Sequence, residues 1–313
     1  MLGNIVLRIN IFVVMAALAV SLPIACAQNV ALQEWSSPIP KRFFSVFMVS
    51  ADDGWAVGDD ATIIRWNGTD WDVFPCPLLN VDLYSVFMID AYNGWAVGRG
   101  GWILHWNGTE WNVVTSPTTN DLCSVHMVDI NNGWAVGENG TIIHWNGTNW
   151  DKVTSPTTSA LASVFMVSAN DGWAVGEDGT IIHWNGTNWS NVTSPIHDKA
   201  LLSIFMVSAD DGWAVGEDGT IIRWNGAAWS IFPSPTTNTL LSVYMVNAND
   251  GWAVGDRGEI IRWTGTEWVP EFSIGMILLF LVSAAFSASV LKNRRKSTKP
   301  KNGHTSKHSH LWH

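Results

Sequence analysis

Six basic or imidazole side chains fall at one repeated position: Arg65, His105, His144, His183, Arg223 and Arg262, each directly before Trp-Asn-Gly or Trp-Thr-Gly. Arginine and histidine together could bind an anionic partner, and the imidazoles would make that binding sensitive to pH. The ring is therefore a candidate binding site. The competing reading is an amphipathic position beside a hairpin, its polar end in water. A catalytic role fits poorly, because a position set by periodicity spreads its members evenly while catalysis needs an asymmetric cluster. Sialidase-like hydrolysis would need clustered arginines, a tyrosine nucleophile and an acid/base, yet Tyr84, Tyr92 and Tyr244 are scattered. No two carboxylates stand out from their copies as a glycosidase pair. The expectation is a protein without enzymatic activity.

Other residues could hold ions or sugars. Acidic turns (Asp52-Asp53, Asn170-Asp171, Asp210-Asp211, Asn249-Asp250, Glu177-Asp178, Glu217-Asp218) offer oxygen ligands of the kind calcium takes. The same Asp and Asn residues are also what tight turns require, so calcium is a minor alternative to no cofactor. Seven Asn-x-Ser/Thr sequons, at Asn67, Asn107, Asn139, Asn146, Asn185, Asn188 and Asn191, are candidate glycosylation sites on an exported domain. Two cysteines lie in the body of the chain, Cys76 and Cys123. They read as two small buried side chains, with a disulfide as the alternative.

These residues hang on a repeat. Gly-Trp-Ala-Val-Gly starts at Gly54, Gly94, Gly133, Gly172, Gly212 and Gly251, a step of 39 or 40 residues. A period near 40 with four short strand signals is that of a β-propeller blade. The expected strands of the first repeat are Ser45–Val49, Trp55–Val57, Thr62–Trp66 and one starting at Trp71, with Asn67-Gly68 tipping the last hairpin. Eighteen of the 21 tryptophans sit at three fixed positions per repeat and are expected to fill the gaps between blades. Met48, Met88, Met127, Met166, Met206 and Met245 share one position in the first strand and also read as core. Residues 31–42 look like the end of a repeat, so a strand around Trp35 is expected to complete the last blade, whose own fourth strand meets Pro270.

The ends of the chain point outward. Residues 1–27 read as a signal peptide, with Arg8, an apolar run and cleavage after Ala27; a lipoprotein box at Cys26 is the rival reading. Residues 271–291 carry Pro270-Glu271-Phe272 into an apolar stretch long enough to cross a bilayer, and residues 292–313 are a basic tail. Positive residues stay in the cytoplasm, which leaves residues 28–270 as an extracellular domain on a single-pass anchor. All 27 acidic residues lie between Glu34 and Glu271, against nine of the 17 Lys and Arg. So acidic a body repels phosphate backbones, which excludes nucleic acid as a partner.

The pattern Asp-Gly-Trp-Ala-Val-Gly-x-x-Gly-Thr-Ile-Ile-x-Trp resembles the repeats of photosystem II assembly and stability factor-like propellers (Ycf48-like). More loosely, it is similar to the Asp-box (BNR) repeats of sialidases and sortilin-type receptors. That resemblance spans about residues 45–268 and implies a propeller; the assembly factors tend to have seven blades, against six repeats here. The C-terminal end resembles the Pro-Glu-Phe, transmembrane, Arg/Lys tail of archaeal surface proteins, which implies a membrane anchor or a sorting signal that is cleaved.

The combined expectation is all-β: a monomeric six-bladed β-propeller of four-stranded repeats of about 39 residues, with a signal peptide and a C-terminal transmembrane helix. It would sit on a cell surface and bind a protein or a glycan. The alternatives are a glycosylated structural component of the envelope and, more remotely, a glycoside-acting enzyme.

Overall fold

The computed structural model describes residues 37–271, which form six four-stranded antiparallel sheets, each made of one repeat in chain order. Blade 1 comprises β1 (Phe43–Ser50), β2 (Asp53–Gly58), β3 (Ile63–Trp66) and β4 (Trp71–Phe74). Blade 2 comprises β5 (Leu83–Asp90), β6 (Asn93–Gly98), β7 (Ile103–Trp106) and β8 (Trp111–Val114). Blade 3 comprises β9 (Leu122–Asp129), β10 (Asn132–Gly137), β11 (Ile142–Trp145) and β12 (Trp150–Lys152). Blade 4 comprises β13 (Leu161–Ser168), β14 (Asp171–Gly176), β15 (Ile181–Trp184) and β16 (Trp189–Asn191). Blade 5 comprises β17 (Leu201–Ser208), β18 (Asp211–Gly216), β19 (Ile221–Trp224) and β20 (Trp229–Ile231). Blade 6 comprises β21 (Leu240–Asn247), β22 (Asp250–Gly255), β23 (Ile260–Trp263) and β24 (Trp268–Pro270). The first strand of each blade packs beside the first strand of the next, from β1 through β21, so these strands form the inner series.

In blades 1–5 the second strand is buried from its second residue on, as both of its faces meet another sheet. Its two glycines are placed by close approach. A Cβ on Gly172 would run into the Met166 sulfur, and one on Gly176 into the Ala160 carbonyl of the incoming linker. The core is six clusters: five are each assembled from two neighbouring blades, and the sixth is formed within blade 1 by Phe43, Ala56 and Ile64. In the cluster between blades 1 and 2, Trp55, Val57 and Ile63 meet Leu83, Met88, Trp106 and Trp111. Five of the six first-strand methionines are buried as expected, while Met48 is half-buried.

Two expectations are adjusted. Between the second and third strands the chain makes a single 3₁₀ turn, such as Glu177–Gly179, whose middle residue has positive φ (Asp178 +53°, Asp218 +52°, Asn139 +55°). This explains the Asp, Asn and Gly found there, because these types tolerate the left-handed region. Blade 6 is completed by its own β24, in which Pro270 pairs with Ile261 at the outer edge, where a missing N–H leaves no ladder bond unmade. The strand expected around Trp35 lies outside the described residues. The thiols of Cys76 and Cys123 are free rather than bridged.

The blades belong to a compact unit that ends at Pro270. Among the described residues no helix is long and apolar enough to cross a membrane. The expected signal segment (1–27), apolar span and basic tail, as well as Trp35, lie outside the described residues.

Candidate functional site

The Arg/His ring is built by strand register. In each blade the third-strand residue stands directly opposite the second-strand tryptophan, as Arg65 does opposite Trp55 and His183 opposite Trp173. Side chains opposite each other across a ladder share one face of the sheet, so the basic group lies along the indole. The Arg65 and Arg223 guanidinium carbons sit 4.9 Å from the Trp55 and Trp213 ring centres, and Arg262 sits 5.1 Å from Trp252. The imidazoles of His105, His144 and His183 lie 4.2–4.4 Å from the rings of Trp95, Trp134 and Trp173.

Each far end is tied to the first residue of the second strand. Arg65 Nε donates to Asp53 (2.9 Å), Arg223 Nε to Asp211 (2.9 Å) and Arg262 Nε to Asp250 (3.0 Å). His105 Nε2 lies 2.9 Å from the Asn93 amide oxygen, and His144 Nε2 lies 2.8 Å from that of Asn132, which places the imidazole proton on Nε2. Arginine is thus paired with a carboxylate and histidine with an amide. His183, 2.8 Å from Asp171, is the mixed case. Burial lowers the pKa of His105 and His144, keeping both neutral at physiological pH.

The six residues are therefore separate caps, one per blade, with the arginine charge already matched. One such cap opens into an inter-blade groove lined by Asp171, Trp173, His183 and Asn185 of blade 4 with Ala209 and Trp224 of blade 5. The acidic turn residues considered for calcium are accounted for in part by the same pairing. Asp53, Asp171, Asp211 and Asp250 hold the ring residues, and Glu217 accepts the Ala200 N–H. Among the described residues no three His, Cys, Asp or Glu side chains converge.

All seven sequon asparagines are exposed. In the hairpin copies the Asn oxygen accepts the N–H groups two and three residues on, at 2.9 Å in Asn67 and 2.9–3.0 Å in Asn107. The Asn67 and Asn146 amide nitrogens donate to Asp72 and Asp151, whereas Asn112 and Ser190 stand at that place beside Asn107 and Asn185.

Two features were not anticipated. The first is an aromatic row on the inner strands, one position before each methionine. Phe47, Phe87, His126, Phe165, Phe205 and Tyr244 follow one another with ring centres 4.6–5.1 Å apart. Burial pushes the His126 pKa down to about 4. The signal was in the sequence, as a constant aromatic in Ser-Val-Phe-Met, but it was overshadowed by the methionines.

The second feature is a set of breaks in the repeat. On the turns joining first to second strands, the residue pair is Ala51-Asp52, Ala169-Asn170, Ala209-Asp210 and Ala248-Asn249, but Ala91-Tyr92 and Ile130-Asn131 in blades 2 and 3. Tyr92 is 73 % exposed and Ile130 55 %. They lie beside the uncharged His105–Asn93 and His144–Asn132 pairs, so two adjacent blades each expose an apolar side chain on this turn, next to the exposed carboxylates of Asp90 and Asp129, which accept the Tyr92 and Asn131 N–H groups. Trp102, in the place of a threonine, is exposed at the opposite ends of the strands.

Neither a family model nor a curated protein matches the sequence. Solved structures do share the fold. "YCF48 bound to D1 peptide" aligns with a TM-score of 0.61 and 17 % identity over 80 % of this chain and 88 % of that one. YCF48 from Cyanidioschyzon merolae aligns at 0.51 and 15 % identity, covering 74 % of this chain and 98 % of that one. The WD40 repeats of RRP9 align at 0.65 and 11 % identity, covering 75 % and 81 %. At such identities what this chain shares with Ycf48 and WD40 proteins is the β-propeller fold.

Proposed function

We propose that the protein is a non-catalytic binding propeller that docks a protein or peptide on the blade ends bearing the first turns and the hairpins. The observation that carries this is the apolar break at Tyr92 and Ile130. Exposed aromatic and aliphatic side chains with no structural task, framed by polar residues, are what recognition surfaces use. The peptide held by the structurally similar YCF48 supports a protein partner over a nucleic acid or a small substrate. The acidic body further favours a partner that is basic around an apolar anchor. In this reading the signal segment and the apolar C-terminal span place the propeller outside the cell, tethered to the membrane.

The test is capture of partners from a native envelope extract by the protein. Tyr92→Ala and Ile130→Asp are expected to abolish retention of a discrete protein, with melting unchanged. Asp52→Ala and Asp210→Ala should leave retention intact. Equal retention by all four variants would overturn the assignment of this sector. Periodate treatment of the extract separates a glycan from a protein ligand.

A second reading, a glycosylated envelope component, is favoured by the seven exposed sequons. Gly108 of the Asn107 hairpin lies against Tyr92. A glycan on Asn107 would cover the proposed docking sector, so its detection by mass spectrometry would move the conclusion to this reading.

A further inference from the structure

The third-strand tryptophans of blades 2 to 6, each packed against the blade before it, are not equally covered. Trp106 and Trp263 are 1 % exposed, whereas Trp145, Trp184 and Trp224 are half-buried. The cause lies on the preceding blade. Trp106 is flanked by the Phe74 ring, 5.2 Å away, and by the Arg65 guanidinium, 5.7 Å away. Trp263 is flanked in the same way by Phe232 at 5.4 Å and by Arg223 at 5.6 Å. Ahead of Trp145, Trp184 and Trp224 those two positions hold Val114 with His105, Val153 with His144, and Val192 with His183. Both flanking side chains shorten together, and the indole is left open.

The groove at Trp224 is bounded by Asn170, Asp171, His183, Asn185 and Val192 of blade 4 and by Ala209 of blade 5. At Trp184 the same positions are Asn131, Asn132, His144, Asn146, Val153 and Ala169. Asp171 and Asn132 hold the two imidazoles at 2.8 Å. Among the described residues the carboxamides of Asn131 and Asn170 make no hydrogen bond, and both are exposed. Trp224 Nε1 donates to the Ala209 carbonyl (2.9 Å) and Trp184 Nε1 to that of Ala169 (3.1 Å). What each indole offers a ligand is therefore its ring. Trp145 differs, because Ile130 stands where the other two grooves have Ala169 and Ala209. Its groove belongs with the Tyr92 turn, and two adjacent grooves remain.

The chemistry of these grooves matches a neutral sugar. An indole face carries the negative side of the ring quadrupole, and the C–H bonds on one side of a pyranose present weakly positive hydrogens to it. A carboxamide supplies both donor and acceptor, as each sugar hydroxyl does. Among the bounding residues there is no arginine or lysine, and the one carboxylate, Asp171, already holds His183. A charged ligand would find no unmatched charge. An apolar peptide side chain would use the indole but leave the carboxamides of Asn131 and Asn170 idle. We propose that the grooves at Trp184 and Trp224 are two saccharide subsites, each seating one uncharged pyranose on the indole while the asparagines bond its hydroxyls. Because they lie on successive blades, a glycan that engages both gains avidity. The subsites share no residue with the Tyr92 and Ile130 turns, so either can hold without the other.

Binding of the full chain to an oligosaccharide array, with saturation-transfer NMR on the matching methyl glycosides, tests this. The probes are neutral glycans ending in glucose, galactose, mannose or N-acetylglucosamine, with sialylated and sulfated glycans for comparison. The parent should retain at least one neutral probe. Val153→Phe combined with Val192→Phe supplies both grooves with the cover that Phe74 and Phe232 give elsewhere. It should weaken retention about tenfold or more, with melting unchanged or raised. Asn131→Ala combined with Asn170→Ala, at exposed positions, should weaken it without touching the core. Tyr92→Ala and Ile130→Asp should leave sugar retention intact, so loss of a protein partner and loss of sugar are read separately. The proposal falls if the parent retains no neutral probe, if it retains only acidic glycans, or if both double variants bind like the parent. If no sugar binds and the Val153→Phe, Val192→Phe variant instead loses the envelope protein, the grooves take a peptide and the proposal falls as well.

Discussion

Arg223 holds two surfaces at once. Its Nε donates to Asp211, and its guanidinium lies 4.9 Å from the Trp213 ring centre and 5.6 Å from that of Trp263 on the next blade. Because the group is partly exposed, Arg223→Ala should cost only about 1–2 kcal/mol, read as a lower urea midpoint. Lysine restores the charge but neither the planar stack nor the directed Nε bond, so Arg223→Lys should recover less than half. Arg223→His should recover more, since His183 already makes this arrangement with Asp171 and Trp173. His126 makes a separate prediction. It is held between Phe87 and Phe165, and burial depresses its pKa to about 4 from its ordinary value of 6.5. Between those values the unfolded chain binds the proton and the folded one does not. The stability due to the neutral imidazole is complete above pH 6.5 and is lost as pH falls toward 4, by up to about 1.4 kcal/mol per unit. His126→Phe should remove that component, and denaturant titrations of the two proteins at pH 7 and pH 4.5 would show the curves converging or crossing in acid.

At the scale of the strand, the two glycines of Gly-Trp-Ala-Val-Gly differ in what surrounds them. The Cβ of Gly172→Ala meets the flexible end of Met166, which can turn aside, so a loss of about 1–3 kcal/mol is expected. The Cβ of Gly176→Ala meets the Ala160 carbonyl, which is itself held by the Glu177 N–H at 2.9 Å, so the larger loss belongs there. Gly258, at φ +76° with open space around it, should accept asparagine with little change. Thermal melting of the three variants should rank Gly176→Ala lowest, then Gly172→Ala, with Gly258→Asn near the parent. The repeated residues made this element legible from sequence, since a glycine recurring six times marks a backbone requirement. Which of the two glycines faces backbone and which a side chain depends on the linker lying across the second one, and that linker comes from an earlier part of the chain.

For the whole molecule the dominant long-range force is self-repulsion. The described blades carry nearly all the acidic residues and few basic ones, and several of the basic ones, Lys41, Arg42, Arg65, Arg223 and Arg262, are already paired with carboxylates. Uncompensated carboxylates on turns at both ends of the blades repel over distances that salt screens, about 10 Å at 0.1 M. The melting temperature should therefore rise between 20 mM and 500 mM sodium chloride. A fall would mean that the surface ion pairs outweigh the repulsion.

The sequence by itself determined the number of blades, the four strands of each and the identity of the core, because every blade repeats one alternation of buried and exposed positions and one set of turn residues. It also singled out Arg65, His105, His144, His183, Arg223 and Arg262, but left open whether they bind a partner or are an amphipathic position with its polar end in water. Only the tertiary structure decided that these groups lie against tryptophans with the arginine charges already matched, since the Asp or Asn that holds each one is twelve residues away in sequence and adjacent only through the register of two strands. The apolar sector at Tyr92 and Ile130 was equally hidden. Each is an ordinary residue in a turn, and their meaning arises when neighbouring blades bring them to the same end of the propeller.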